Sequence, residues 1–111
     1  MFKAMIMLTR REDMSHEEFA DWWLKDHAPL ARTLPGVRRV VFNVVDAGHD
    51  EAGFDGVSEL WFDTQPDFEA AYATDIGKAT AADSLAHVSG RVRVFVTENV
   101  LVSETAVAPP S

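Results

Sequence analysis

The chemistry this chain can offer begins at His27. It lies four residues after Trp23 and eight after Phe19, so a helix through this segment sets all three on one inward stripe. A histidine with one ring nitrogen held by a carboxylate or backbone partner keeps the other free as a general base near neutral pH. A helix C-terminal cap, favoured by the helix dipole, would use the same residue structurally. Glu59 is the second titratable candidate, between Val57 and Trp61 on one strand face of "VSELWFD". A carboxylate partly buried there would have a raised pKa and could act as acid or base, or else pair with Arg39 or Arg93. Asn43, on the same face of a neighbouring strand, could donate to an oxyanion or enolate, or complete a hydrogen-bond network. Trp22, Trp23 and Trp61 offer flat surface to an aromatic or polycyclic ligand, or fill the core. Neighbours on a helix point about 100° apart, so one of Trp22 and Trp23 is expected under the sheet and the other at the rim of an opening.

Other chemistries find little support. There are no cysteines, hence no thiol nucleophile, thiolate metal site or disulfide, which fits a reducing cytoplasm. Asp46, His49, Asp50, Glu51 and Asp55 are metal-ligand types without a recognised spacing, so the segment 46–56 reads as a solvated acidic lid and no metal is expected. His16 and His87 read as solvent-facing. No phosphate loop, nucleophile elbow or dinucleotide fingerprint occurs, so no cofactor is expected. A net charge of −8 argues against nucleic acid and anionic membranes as partners. The apolar start "MFKAMIML" is too short for a membrane span or a signal segment.

These side chains need a frame, and 111 residues of ordinary globular composition are enough for one core. Phe2 to Thr9 reads as a strand. Ser15 and Glu18 form a capping box for a helix from His16 to about Lys25, which Pro29 should end or kink near His27. "VRRVVFNVV" and "VSELWFD" read as strands two and three. Gln65 to Tyr72 and Asp75 to about Val88 read as helical, with Gly77 as the break, and "RVRVFVTENVLV" reads as a long fourth strand. Residues 1–102 are taken as one domain and 103–111 as a flexible tail. The order β-α-β-β-α-β predicts an α+β, ferredoxin-like protomer, with helices on one face of a four-stranded antiparallel sheet.

Helices cover only one sheet face. The other carries Met5, Met7, Val41, Trp61 and, on this reading, Phe95, mixed with Asn43 and Glu59. So apolar a face marks an interface, and two sheets closing face to face about a two-fold axis would make a dimeric barrel with those polar groups in its cavity. Met7, Trp23, Asn43, Trp61 and Phe95 are accordingly the expected substrate-binding residues, with His27 and Glu59 catalytic.

The segments "MSHEEFADWWLKDHAPLARTLPGVRRV", "ELWFD" and "RVRVFVTE" together resemble the EthD family of dimeric α+β barrel proteins. The resemblance runs from about Phe2 to Val102 and rests on the W-x-x-x-H-A-P and L-P-G elements. It implies a ferredoxin-like protomer, a homodimer and a cytoplasmic protein. The wider superfamily includes cofactor-free enzymes such as methylmuconolactone methylisomerase, polyketide-tailoring enzymes and quinol-forming monooxygenases. In several of those relatives the histidine matching His27 lines the pocket. His87 stands where other members often have an aromatic residue.

Two functions follow as expectations. One is a cofactor-independent enzyme that moves a proton with His27 on an aromatic, lactone or polyketide-like molecule, Glu59 or Asn43 steadying the negative charge. The other is an accessory protein that carries a hydrophobic metabolite for a separate oxygenase.

Overall fold

The computed structural model describes residues 1–46 and 53–103. Phe2–Arg10 is the first strand, β1, whose alternation turns Phe2, Ala4, Ile6 and Leu8 to one side. Helix α1 (His16–Trp22) starts at Ser15, whose hydroxyl accepts from the Glu18 N–H while the Glu18 carboxylate accepts from the Ser15 N–H. This is the capping box read from the sequence. A single π-helical turn (Trp23–His27) and a short helix, α2 (Ala28–Ala31), continue the same rod. Then come β2 (Arg39–Val44), β3 (Gly56–Phe62), α3 (Gln65–Ala73), α4 (Asp75–His87) and β4 (Val88–Val96). The strands form one antiparallel sheet in the order β2-β3-β1-β4 with the helices on one side, the α+β ferredoxin-like arrangement.

Two clusters fill the space between sheet and helices. Ala4, Leu60 and Phe62 meet Phe68 and Ala71 of α3. Leu8 meets Phe19, Trp22 and Trp23. Fully burying one such large side chain is worth about 1.5–3 kcal/mol, enough to hold the helix layer down. At Gly56 the contact is closest: a Cβ there would lie 2.5 Å from Cζ3 of Trp23, so only glycine lets the indole lie on the strand.

Several expectations need correcting. The first helix does not end near His27 but passes there through the π turn, an irregularity where an end or a kink was expected, and Ala28 keeps helical dihedrals (φ −55, ψ −40). The Ala28 N–H reaches back five residues to the Trp23 carbonyl. That wider turn makes room for Pro29, which then sits in the first turn of α2, where its missing N–H costs nothing. The break between the last two helices falls at Thr74, extended at ψ 165, whose hydroxyl caps α4 by accepting from the Gly77 N–H. Gly77 is instead a close-approach residue: a Cβ would sit 2.1 Å from the Ala71 carbonyl oxygen. The fourth strand begins at Val88 and stops at Val96. Val96 pairs with Lys3, near the start of β1, and beyond it there is no partner strand.

Phe95 also lies on the other side of the sheet from the one expected. It pairs in register with Ala4, and its ring meets Phe2 at 4.9 Å and Phe68 at 5.6 Å, beneath the helices. The uncovered face therefore carries Val92 and Val94 beside Met7 and Met5. His49, Asp50 and Glu51 of the expected lid, and 104–111 of the tail, lie outside the described residues.

Candidate functional site: a histidine–aspartate cluster under the helices

The π turn decides where His27 goes. On a regular α-helix, residues five apart diverge by about 140°. Closing the turn on the fifth residue brings positions 22 and 27 toward one side. The Trp22 and His27 rings lie 5.1 Å apart, and both reach the same carboxylate oxygen on α4. Trp22 Nε1 donates to Asp83 Oδ2 at 3.2 Å, and His27 Nδ1 sits 2.9 Å from it. His87, one turn beyond Asp83, stacks on Trp22 at 4.4 Å and donates from Nδ1 to the Asp83 carbonyl oxygen at 2.8 Å. Phe42 of β2 bounds His27 from the sheet side at 6.0 Å.

The electrostatics follow. The His27 side chain is 8 % exposed, and burial holds its pKa below the usual imidazole value despite the opposing pull of Asp83. The ring is therefore neutral near pH 7. A carboxylate only accepts, so Nδ1 carries the proton and Nε2 the lone pair. Nε2 has no hydrogen-bond partner among the described residues. None of their sealed side-chain nitrogens or oxygens goes unpaired, so Nε2 is not fully sealed. The arrangement is that of an oriented general base.

Glu59 does not join it. Leu60 and Phe62 pack under the helices, whereas Glu59 and Trp61 project from the opposite side of β3. Nor is its pKa raised: burial pushes it up, but hydrogen bonds from Lys3 and Asn43 and the Lys3 charge outweigh this and leave it lowered. Glu59 pairs with Lys3 Nζ at 2.8 Å rather than with Arg39 or Arg93. Asn43 spends both its N–H groups, on the Val57 carbonyl and on Glu59 Oε2, each at 2.9 Å, and keeps no donor for an oxyanion. Trp61, on that face, has Lys3 Nζ 4.4 Å and the Arg39 guanidinium 4.9 Å from its ring centre. Met7 lies half-buried beside Val57.

The two adjacent tryptophans are both largely buried, but Trp23 is fully enclosed at 0 % exposure whereas Trp22, at 6 %, borders an open surface cleft with Met14 and His87. Trp23 stacks on Phe42 at 4.3 Å and offers a ligand no face. His16 and Asp55, read as solvent-facing residue and lid residue, pair instead. Asp55 accepts from His16 Nδ1 (2.8 Å), the Arg10 N–H (2.8 Å) and Arg10 Nη1 (2.7 Å). Burial raises the Asp55 pKa, and these donors together bring it below its usual value. Among the described residues no group of three or more acidic or histidine side chains could hold a metal. None of the described helices is long and apolar enough to cross a membrane.

Asp83 is the residue the sequence reading missed. Its signal was the Asp83-x-x-x-His87 spacing, which sets both on one flank of an alanine-rich helix.

The family model described as the EthD domain matches residues 11–89, a span that holds His27, Asp83 and His87. The chain belongs to the EthD family. Along 109 residues this EthD protein is 28% identical to 4-carboxymethyl-4-methylbutenolide mutase of Pseudomonas reinekei, covering 91% of this chain and 100% of the mutase. Its fold matches the crystal structure of an ethyl tert-butyl ether degradation (EthD) family protein from Bacillus halodurans. That match has a TM-score of 0.74 at 24% identity, over 89% of this chain and 100% of the other. It also matches a dimeric ferredoxin-like protein of unknown function from Thermobifida fusca, with a TM-score of 0.71 at 14% identity, over 87% of this chain and 90% of the other.

Proposed function

We propose that this EthD protein is a cofactor-independent enzyme that moves a proton on a small carbonyl substrate, with His27 as the base. The observation that carries the reading is the 2.9 Å contact between His27 Nδ1 and Asp83 on a buried, neutral ring whose Nε2 has no partner among the described residues. Nε2 takes a proton from the carbon beside a carbonyl, the C–H electrons pass into the enolate, and Asp83 steadies the imidazolium that forms. The proton then returns to the same or a neighbouring carbon, giving isomerisation. Glu59 and Asn43 take no part, since the sheet stands between them and His27. The named activity of the Pseudomonas relative favours a lactone, and a butenolide in particular, over a polyketide.

The working unit of this proposal is a homodimer. Val92 and Val94, 46 % and 40 % exposed, lie with Met5 and Met7 on the uncovered sheet face, and an apolar face of that kind is stable when another copy covers it. The dimeric state named for the Thermobifida protein supports the same view.

The test follows deuterium from solvent into a carboxymethyl-substituted butenolide by NMR. The wild-type protein should catalyse exchange or isomerisation, and His27→Ala should lower the rate about 10²- to 10⁴-fold with the fold intact. Binding without exchange in either protein would overturn the enzyme reading in favour of a carrier.

A further inference from the structure

A cavity of about 430 Å³ opens between α3, α4 and the β1–β4 half of the sheet. His27 does not line it. Its apolar surface comes from Ile6 and Phe68, and its polar wall from Tyr72, Arg91, Arg93 and Glu69. Arg91 and Arg93 are cross-strand partners of Leu8 and Ile6, so both side chains leave the sheet on the helix side.

Lys3, Arg10, Arg11, Lys25 and Arg38 each hold a carboxylate, in keeping with the chain's acidic balance. Arg91 and Arg93 hold none among the described residues. Among the same residues Arg32, Arg39 and Lys78 also lack an ion pair, and what sets Arg91 and Arg93 apart is that they line one cavity together. Arg93 is positioned by rings alone, its guanidinium 4.8 Å from the centre of Phe95 and 5.7 Å from that of Phe68. Glu69, the acid on the wall, accepts instead from Gln65 Nε2 at 3.2 Å.

Tyr72 completes the group. It lines the cavity, and its hydroxyl makes no hydrogen bond among the described residues and is not fully sealed. Burial raises its pKa, while the charges of Arg91 and Arg93 pull the other way, so the phenol is a protonated donor close to both guanidiniums. Three donors without acceptors converge on one apolar cavity. Two cations against one Glu69 leave about one positive charge, which suits a monoanion better than a phosphate dianion. The volume falls within the range of small-molecule sites, about 300–1,000 Å³.

We infer that this cavity is a binding site for a monocarboxylate carried on an apolar ring, its carboxylate held by Arg91, Arg93 and the Tyr72 hydroxyl and its ring against Phe68 and Ile6. The site is separate from the His27–Asp83 pair and holds whether or not His27 is a base.

The test compares 1-naphthylacetate with its neutral isostere 1-naphthylacetamide by calorimetric titration of the full chain at low salt. The acid should bind about tenfold or more tightly than the amide, as charge-assisted hydrogen bonds require. The double variant Arg91→Gln/Arg93→Gln should erase that preference, Arg91→Lys/Arg93→Lys should keep most of it, and Tyr72→Phe should weaken the acid more than the amide. His27→Ala should bind the acid as the wild type does, which separates this site from the proposed catalysis. Circular dichroism and melting check the fold of each variant. On the wild type itself, the Tyr72 ring resonances should shift with the acid and not with the amide. Equal affinity for acid and amide, no binding of the acid at millimolar concentration, or a preference that survives the double Gln substitution would overturn the assignment.

Discussion

His27 and Trp22 reach one and the same oxygen, Asp83 Oδ2, from consecutive turns of the first helical rod, at 2.9 and 3.2 Å. Asp83 sits 56 residues away from His27 along the chain, so the pair forms only when α4 has packed against the π turn. The ring is thus fixed in tautomer and in angle by tertiary structure, with the indole as a second tether on the same carboxylate.

Replacing Asp83 with asparagine keeps the shape and removes the charge that steadies an imidazolium. Proton exchange on the butenolide should fall about 10- to 100-fold, the usual cost of losing an orienting partner, while the melting temperature moves by a few degrees. Nitrogen NMR of the ring should show a mixture of tautomers in place of the single Nδ1–H form. An unchanged rate would remove Asp83 from the proposed mechanism.

Acid should destabilise the protein through His27. Its folded pKa lies below the 6.5 of the free side chain. Above pH 6.5 neither state binds the proton. Below it the unfolded chain binds first, so stability drops until the pH passes the folded pKa and then levels off. The slope from this one group is at most about 1.4 kcal/mol per pH unit. Urea unfolding at pH 7.5 and 5.5 should show the loss in the wild type and a smaller one in His27→Gln. Catalysis should rise with pH through that same folded pKa, because the neutral ring is the base.

Gly77→Ala should destabilise, against the general rule that alanine improves a helix by about 1 kcal/mol. The added Cβ would meet backbone, the Ala71 carbonyl oxygen at 2.1 Å and Tyr72 Cα at 2.5 Å, so α3 and α4 must separate. A loss of about 1–3 kcal/mol is expected from chemical denaturation. A gain would mean that the two helices are free to move apart.

Val94→Glu places a charge on the uncovered sheet face, on the edge strand β4 next to Met5. Light scattering after size exclusion should find the wild type as a dimer and this variant as a monomer. A wild type that runs as a monomer at micromolar concentration would sink the homodimer.

The sheet and its helices were legible because their signals are local and mutually consistent. The alternation from Phe2 to Leu8, the Ser15–Glu18 box and the β-branched runs each point to one element, and together to one topology. Phe95 shows where the reading stopped. Strand four starts three residues earlier than its richest β-branched stretch, and what turns Phe95 beneath the helices is its pairing with Ala4 of β1, a long-range register that its own segment does not announce. His27 was found from its own segment, but its partner Asp83 lies in an alanine-rich helix without a strong hydrophobic stripe. Glu59 was assigned the right face and the wrong company: it pairs with Lys3 and not with Arg39 or Arg93. Pairings between distant elements decide charge states, and no local pattern announces them.

The turn from Trp23 to His27 holds one residue more than the ordinary helical repeat. The histidine is thus placed by counting: delete one residue there, even the exposed Lys25, and the carbonyl of residue 23 finds its donor a step sooner. An ordinary α-helical turn would then replace the wide one, with the histidine four residues after Trp22 and still on the side that faces Asp83. With all five residues kept, an ordinary turn would instead swing the imidazole about 100° off Asp83, so the wide turn is what absorbs the added residue and keeps the histidine in phase with Trp22.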